Sequence, residues 1–342
     1  MEKKTCYIFF CLVSFAVCTE VYGVQRPGEA PLDRDRVKLF VFGDSYADTG
    51  NLPSSTTSSW KEPYGITFPG KPSGRFSDGR VLTDYIASFL GIRSPVPYEW
   101  KKMEEKWIKN GMNFAHGGTG VFNTLVDQPN MTAQINLFQQ LIQKNVYTNS
   151  SSIALVSLAG NDYGTYFAKN GSAEGMEAFT KSVVDQLVLN LKRIHGVGVQ
   201  KVAVTGIVPF GCLPKITSST SYKQCSETGN NLAKFHNQLL QQNLRRLNNE
   251  TGASSVFIFL DLYHAFSSAL KLKQDHPGNS TFKNGLKPCC LGSCGSVDET
   301  GTKKYVVCEN PKQSFFWDSI HPSDHGWRAV YSAFKHSLHS LL

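Results

Sequence analysis

The chain has 342 residues, of which 41% are hydrophobic, 12% aromatic and 18% charged, and this composition excludes a disordered segment and a long coiled coil. Its 35 lysines and arginines outnumber its 27 aspartates and glutamates, which gives a formal net charge of +8 at pH 7. The basic residues are scattered and form no stripe or module typical of nucleic-acid binding. We therefore expect a basic globular protein that binds no nucleic acid. Attraction to acidic wall polysaccharide is the alternative use of this charge.

Residues 1–23 have the pattern of a secretory signal peptide. Charged residues at positions 2–4 precede a largely apolar stretch over 6–18, and residues 21–23 offer a cleavage site. That stretch is shorter than the roughly 18 apolar residues of a membrane span, and no later run reaches this length. We therefore expect an exported chain, sent to the wall or to a vacuole, with no transmembrane segment. Its mature part would comprise residues 24–342.

Short apolar runs alternate with longer amphipathic stretches along the mature chain. The runs predict buried strands over residues 37–42, 153–159, 202–208 and 256–262. Hydrophobic residues at three- and four-residue steps predict helices over 179–194, 232–247 (with a polar turn at Asn243) and 327–341 (with Ser323 as N-cap). This alternation predicts a single-domain, three-layer α/β/α fold with a mostly parallel central sheet. Such a sheet binds ligands beyond the carboxyl ends of its strands. We also expect the protein to be a monomer.

Three of the nine cysteines lie in the predicted signal peptide, and the mature chain keeps Cys212, Cys225, Cys289, Cys290, Cys294 and Cys308. An even number in an exported chain predicts disulfides. Closeness in sequence favours a Cys212–Cys225 bridge and two bridges within 289–308. A zinc site is the alternative, although the spacing matches no common ligand pattern.

Glycosylation is predicted from five Asn-x-Ser/Thr sequons, which agree with export and are expected to lie at the surface: Asn130, Asn149, Asn170, Asn249 and Asn279.

Residues suited to nucleophilic catalysis occur near both ends of the mature chain. Ser45 follows the first predicted strand, and a serine acts as a nucleophile when a base and an orienting acid accompany it. Asp318 and His321 can supply both. Their three-residue separation lets the carboxylate reach one ring nitrogen within a single turn, and the other nitrogen then faces Ser45. An Asp-x-x-His pattern by itself is usually a surface turn, so the hypothesis depends on the combination.

Two further segments offer hydrogen-bond donors for an oxyanion. Residues 113–120 form a glycine-rich loop, whose N–H groups can approach a ligand closely. Asn161 follows the second predicted strand and offers a side-chain amide. Together with Ser45, Asp318 and His321, these donors complete a set sufficient for acyl transfer.

These segments resemble the successive blocks of the GDSL (SGNH) esterases/lipases, namely residues 42–51, 113–120, 160–162 and 318–321. Residues 72–80, residues 209–214 and the cysteine-rich approach to Asp318 extend the resemblance to the plant-type branch. It implies that Ser45 is the nucleophile, His321 the base and Asp318 the acid. It also implies an oxyanion hole formed by the Ser45 and Gly117 N–H groups and the Asn161 amide.

The chemistry that the resemblance implies requires no cofactor or metal. Two residues of this chain depart from the family pattern. Tyr46 stands where the family name has Leu, and His116 stands where many members have Ser; we interpret His116 as a hydrogen-bonded bystander. Asp48 and Asp162 are expected to brace loops.

We therefore expect a secreted serine esterase that hydrolyses carboxylic esters, of short-chain or specialised acyl groups, through a Ser45 acyl-enzyme. Transfer of the acyl group to an acceptor alcohol uses the same intermediate and is the alternative function. A binding protein that kept the fold and lost the chemistry is a further alternative. The insertion 52–80 either walls the substrate pocket or packs over the sheet, and it carries the aromatic residues Trp60, Tyr64, Phe68 and Phe76.

Overall fold

A computed structural model of the chain describes residues 37–100, 110–144, 151–253, 255–271 and 282–342. The predicted signal peptide lies outside these described residues, as do the sequons at Asn149 and Asn279. Of the remaining sequons, Asn170 and Asn249 are exposed, whereas Asn130 is half-buried. No helix within the described ranges has the length and apolar character needed to cross a membrane.

The strands described by the structure are β1 (Lys38–Gly43), β2 (Val96–Pro97), β3 (Gly111–Asn113), β4 (Ser152–Ser157), β5 (Lys201–Thr205), β6 (Phe257–Leu260), β7 (Cys290–Val297) and β8 (Lys303–Val307). The first six of these form one sheet in the order β2-β3-β1-β4-β5-β6, and every neighbouring pair is parallel. β7 and β8 form a separate antiparallel pair. The four predicted strands correspond to β1, β4, β5 and β6, whereas β2 and β3 were not predicted because strands this short carry no recognisable pattern.

The helices described are α1 (Leu82–Phe89), α2 (Met131–Lys144), α3 (Gly160–Ala168), α4 (Met176–Gly196), α5 (Pro214–Thr217), α6 (Glu227–Thr251), α7 (Leu262–Lys271) and α8 (Asp324–Phe334). The three predicted helices correspond to α4, α6 and α8. The predicted polar turn is wrong, since α6 runs through Asn243, whose amide donates to the Leu239 carbonyl at 2.9 Å. Ser323 caps α8 as predicted, by accepting a hydrogen bond from the Gly326 N–H. A 3₁₀ helix, Lys335–Leu341, replaces the predicted end of this helix.

Helices cover both faces of the parallel sheet. On β1, Phe40 and Phe42 pack in a core with residues of α2, α4 and α6, whereas Leu39 and Val41 pack in a second core with residues of α1, α7 and α8. A strand buried on both faces needs an apolar side chain at nearly every position, which explains the continuous apolar runs in the sequence. The predicted three-layer α/β/α architecture with a parallel sheet is confirmed.

The end of β1 is held tightly just before Ser45. The Gln134 side chain accepts from the Gly43 N–H at 2.9 Å and donates to the Gly43 carbonyl at 3.0 Å. A Cβ at position 43 would clash with the Ser157 carbonyl of β4, so only glycine allows the two strands to approach this closely. Asp44 then donates its N–H to the same carbonyl at 3.0 Å. The chain therefore leaves the sheet at a fixed point, and Ser45 follows at the carboxyl edge.

The six cysteines within the described residues form three disulfides: Cys212–Cys225, Cys289–Cys308 and Cys290–Cys294. The predicted pairings are therefore confirmed. The Cys289 N–H donates to the Phe316 carbonyl at 3.0 Å, and the Cys290 N–H donates to the Trp317 carbonyl at 2.7 Å. The hairpin of β7 and β8, which we call the disulfide-linked hairpin, is thereby bonded to the segment that leads into Asp318.

The insertion 52–80 is anchored to two helices, α1 and α8. Its Arg75 makes a two-pronged ion pair with Asp84 of α1, with both N–O distances at 2.8 Å. Burial opposes ionisation of Asp84, but the Arg75 charge and hydrogen bonds outweigh it, so the pKa of Asp84 lies below its usual value. At the other side, Asp78 accepts a hydrogen bond from the N–H of Asp324, the first residue of α8, at 2.7 Å.

We expect Arg75→Met to lower the free energy of unfolding by about 3–5 kcal/mol, because it leaves the buried Asp84 carboxylate without its cation. Denaturant unfolding at neutral pH measures this loss. Because the folded-state pKa of Asp84 is depressed, its stabilising contribution is present above the ordinary pKa of about 4 and is lost as the pH falls. The difference in unfolding free energy between the wild type and Arg75→Met should therefore become smaller at acid pH.

The matched control is Lys181→Met, which breaks the exposed Lys181–Glu177 ion pair on α4. Exposed pairs contribute little to stability, so this variant should unfold like the wild type. Equal unfolding curves for Arg75→Met and Lys181→Met would contradict the importance of the buried pair.

Candidate active site

Ser45 and His321, which are 276 residues apart in sequence, meet at the carboxyl edge of β1. The distance between Ser45 Oγ and His321 Nε2 is 2.8 Å. The other ring nitrogen, Nδ1, lies 2.9 and 2.8 Å from the two carboxylate oxygens of Asp318. The exposed fractions of the three residues are only 8%, 9% and 7% respectively. The structure thus brings together the three residues that were predicted as nucleophile, base and acid.

The turn from Asp318 to His321 is stabilised by the Asp318 carboxylate itself. Its Oδ1 accepts hydrogen bonds from the N–H groups of Ile320 at 2.9 Å and His321 at 2.8 Å. Burial opposes ionisation of Asp318, but the charge of His321 and these hydrogen bonds outweigh burial, so its pKa lies below the usual value. An ionised Asp318 accepts only, which makes Nδ1 of His321 the donor and leaves Nε2 to accept from the Ser45 hydroxyl.

The insertion 52–80 contributes two of its aromatic side chains to this site. The Phe76 ring lies against the His321 imidazole, with ring centroids 5.0 Å apart. Tyr64 donates its hydroxyl to Asp318 Oδ2 at 2.8 Å. The insertion therefore contacts both Asp318 and His321, and its role as a wall of the substrate pocket stays a prediction. Sequence patterns had no means of assigning the Tyr64 contact, which joins residues 254 positions apart.

Tyr46 replaces the leucine of the family name. It links the segment around Ser45 to the 318–321 turn. Its hydroxyl donates to the Ile320 carbonyl at 2.9 Å, and its ring stands edge-on to the His321 ring at 5.9 Å. A leucine at this position has no hydroxyl to make this bond. Tyr46 is therefore a second connection between the two halves of the site.

The predicted oxyanion donors Ser45 and Asn161 differ in their hydrogen bonding in the structure. Among the described residues, the Ser45 N–H has no hydrogen-bond partner. The Asn161 amide donates to the Thr119 carbonyl at 2.9 Å, and its nitrogen lies a longer 3.4 Å from Asp44 Oδ2. Both amide hydrogens thus have acceptors, and the longer bond to Asp44 is the one that a ligand would replace.

The expectation for Gly117 needs a correction. Its N–H donates to Asp48 Oδ2 at 2.9 Å, so it is not the bare donor that the glycine-rich loop predicted. The other oxygen of Asp48 accepts from the N–H groups of Gly50 and Asn51, both at 2.8 Å. Asp48 therefore braces two loops, as expected. The N–H groups of Gly118 and Gly120 in this loop have no partner within the described ranges.

His116 and Asp162 hold neighbouring backbone in place. His116 is buried, and its Nδ1 lies 2.8 Å from the Phe114 carbonyl, which supports its interpretation as a hydrogen-bonded bystander. The Asp162 carboxylate accepts from the N–H groups of Val121 and Phe122, both at 2.9 Å. The glycine-rich loop is thus tied to the start of α3, where Asn161 lies.

Asp44 is a site residue that sequence reasoning missed. Burial raises its pKa to about 7, while the hydrogen bond from the Tyr46 N–H and the charge of His321 act in the opposite direction and Asp162 adds to the rise. A buried carboxyl group that titrates near neutral pH is typical of functional sites. Its position next to Ser45 was the only signal available in the sequence.

No group of three or more His, Cys, Asp or Glu side chains that could hold a metal ion occurs among the described residues. The arrangement of Ser45, His321 and Asp318 provides a nucleophile, a proton acceptor and an orienting acid, which are sufficient for acyl transfer by side chains alone.

Known proteins similar to this chain agree with this chemistry. The sequence model of the GDSL-like lipase/acylhydrolase family matches residues 39–334. Two GDSL esterases/lipases of Arabidopsis thaliana are each 52% identical to it; one match covers 98% of both chains, and the other covers 100% of this chain and 99% of the relative. Acetylajmalan esterase 2 of Rauvolfia serpentina is 31% identical, with 85% of this chain and 87% of the relative covered. The chain therefore belongs to the GDSL-like lipase/acylhydrolase family and is a carboxylic ester hydrolase.

Proposed function

We propose that this chain is an exported esterase that hydrolyses small or specialised acyl esters through a covalent intermediate on Ser45. The observation that carries the proposal is the continuous hydrogen-bonded series from Ser45 Oγ through His321 to Asp318, with contacts of 2.8–2.9 Å. Each member has the partner that its role requires: a hydroxyl facing a basic nitrogen, and an imidazole oriented by an ionised carboxylate.

In the first half-reaction, Ser45 Oγ attacks the carbonyl carbon of the ester while His321 Nε2 removes the hydroxyl proton. The resulting imidazolium is stabilised by Asp318, which stays ionised. Negative charge develops on the carbonyl oxygen, where the Ser45 N–H and the second amide hydrogen of Asn161 can donate to it. The bond to the leaving alcohol then breaks, His321 protonates the departing oxygen, and the acyl group remains on Ser45.

In the second half-reaction, a water molecule takes the place of the alcohol. His321 removes a proton from this water as its oxygen attacks the acyl carbon, and the same donors stabilise the second oxyanion. The bond to Ser45 Oγ then breaks, and His321 returns the proton to the serine. The carboxylic acid leaves, and the enzyme regains its starting state.

Two observations support a small acyl or alcohol group. Phe76 lies against the His321 ring, and a Cβ at Gly117 would lie 2.5 Å from Phe76 and 2.9 Å from Leu52, so little room remains above the glycine-rich loop. One relative is named an acetylajmalan esterase, at 31% identity. Export is supported by the three disulfides, because such bridges form and persist in oxidising compartments.

We expect Ser45→Ala to lower the rate of ester hydrolysis by a factor on the order of 10⁶, because loss of the nucleophile removes the covalent route. The assay is a series of p-nitrophenyl esters from acetyl to palmitoyl, supplemented with a hydroxycinnamoyl ester. The wild type should hydrolyse the acetyl ester much faster than the palmitoyl ester, because Phe76 and Leu52 restrict the site.

The control for this experiment is labelling with a serine-directed phosphonate, which should modify Ser45 of the wild type and leave Ser45→Ala unmodified. Near-identical circular dichroism spectra would show that both proteins are folded. Substantial hydrolysis by Ser45→Ala would refute the acyl-enzyme proposal, and faster cleavage of palmitoyl esters would refute the assignment of small substrates.

Asn161→Ala should lower kcat by about 10²–10³, because one oxyanion donor is lost in a largely water-excluded site. Substrate binding should change less than kcat, since the oxyanion forms only during reaction. Steady-state kinetics with the acetyl ester separates the two effects.

The matched control for this variant is Asn243→Ala on α6. This change also removes a partly buried side-chain amide, at a position distant in sequence from the residues of the site. It should retain the wild-type kcat. A kcat for Asn161→Ala within threefold of the wild type would eliminate its amide as an oxyanion donor.

A further inference from the structure

The Asp318 carboxylate accepts one hydrogen bond from outside its own turn. Its Oδ1 is bonded by the N–H groups of Ile320 and His321, whereas its Oδ2 faces His321 Nδ1 and the Tyr64 hydroxyl, each at 2.8 Å. Within the described ranges, Tyr64 is thus the one donor to this carboxylate that the 318–321 turn does not supply.

The Tyr64 hydroxyl is held in its donor form. Tyr64 is buried, with an exposed fraction of 3%. Burial, together with the neighbouring charge of Asp318, raises the pKa of Tyr64 well above its usual value. The phenol therefore stays protonated throughout the range in which an esterase is assayed, and it donates to the carboxylate.

The position of the Tyr64 ring is determined from several sides. The ring stands edge-on to Trp317 at 6.1 Å and to Phe76 at 6.4 Å. The next residue, Gly65, donates its N–H to the Ser77 carbonyl at 3.0 Å, and the Ser77 hydroxyl donates to the Pro322 carbonyl at 3.0 Å. The backbone around Tyr64 is therefore tied to the residue that follows His321.

We propose that Tyr64 is a positioning residue of the catalytic site, whose hydroxyl holds the Asp318 carboxylate in register with His321 and disperses part of its charge. This inference rests on the proposed acyl-enzyme mechanism. The insertion 52–80 then has a catalytic purpose beyond shaping the pocket, because it supplies one of the four donors that orient the acid.

Loss of the Tyr64 hydroxyl has a specific electrostatic consequence. Hydrogen bonds to a carboxylate stabilise its charged form and reduce the negative potential at its neighbours. Without the Tyr64 bond, more of the negative charge faces His321, which stabilises the imidazolium. The acid limb of kcat/KM should then move to higher pH.

The titratable groups that face this turn are few. Asp44 and Tyr46 face it from either side of Ser45, and Tyr64 faces it from the insertion. Asp44 has a pKa of about 7, so its ionisation will contribute to the same pH range. Because Asp44 is present in every variant compared, the informative quantity is the shift between variants.

The test compares Tyr64→Phe with Tyr85→Phe. We expect Tyr64→Phe to lower kcat/KM about tenfold, as typical for one hydrogen bond to a charged group, and to move the acid limb upward by about half a pH unit. Tyr85→Phe also removes a buried hydroxyl, which donates to the Asp324 carbonyl at 2.8 Å without contacting Asp318. It should leave both the rate and the pH profile unchanged.

A double-mutant cycle distinguishes positioning from a structural role, even if Tyr64→Phe is less stable. If Tyr64 acts through the carboxylate, adding Tyr64→Phe to Asp318→Asn should cause little further loss in the rate of phosphonate labelling. Purely structural damage would instead reduce the rate by the same factor in both backgrounds. Additive losses, or a reduced kcat/KM with an unmoved acid limb, would overturn the proposal.

The labelling experiment also separates this inference from the mechanism that it rests on. Labelling of Ser45 in the wild type together with an unchanged Tyr64→Phe profile would refute the role of Tyr64 alone. Absence of labelling in the wild type, with hydrolysis retained by Ser45→Ala, would refute the acyl-enzyme itself.

Discussion

The buried Asp318 carboxylate is the group around which the parts of this site are organised. An ionised carboxylate in a buried position is costly unless hydrogen bonds compensate for its lost hydration, and here donors come from Ile320, Tyr64 and both the backbone and the ring of His321. These bonds shape the turn and orient the imidazole at the same time. The direction of His321 Nε2 toward Ser45 is thus a consequence of satisfying one buried charge.

The sheet supplies the other half of the constraint. β1 lies between β3 and β4 in the parallel sheet, and its last residue, Gly43, is fixed by the Gln134 amide and by close contact with Ser157. Ser45 therefore leaves the sheet at a position with little freedom. The 318–321 turn, which lies near the other end of the sequence, meets Ser45 at this position. A hydrogen bond from Tyr46 and the contacts of the disulfide-linked hairpin hold it there.

The insertion 52–80 joins these two halves and places aromatic residues where they affect reaction and substrate. Arg75 anchors it to α1, and Asp78 anchors it to the start of α8. Between these anchors, Tyr64 donates to Asp318 and Phe76 lies against His321. Because one segment makes both contacts, the surroundings of His321 and the orientation of Asp318 are physically coupled. The proposed preference for small esters and the proposed role of Tyr64 share this origin.

The sequence by itself determined several features that depend on local order: four strands of the sheet, three amphipathic helices, the cap at Ser323, the Asp318–His321 turn and the local disulfides. Periodicity and short spacing report such features because the interacting groups are neighbours in the chain. Only the tertiary structure decided that Asp48 occupies the Gly117 N–H and that Tyr64 bonds to Asp318. Those contacts join residues tens to hundreds of positions apart, and no pattern along the chain records which distant donor will meet a buried acceptor once the layers pack.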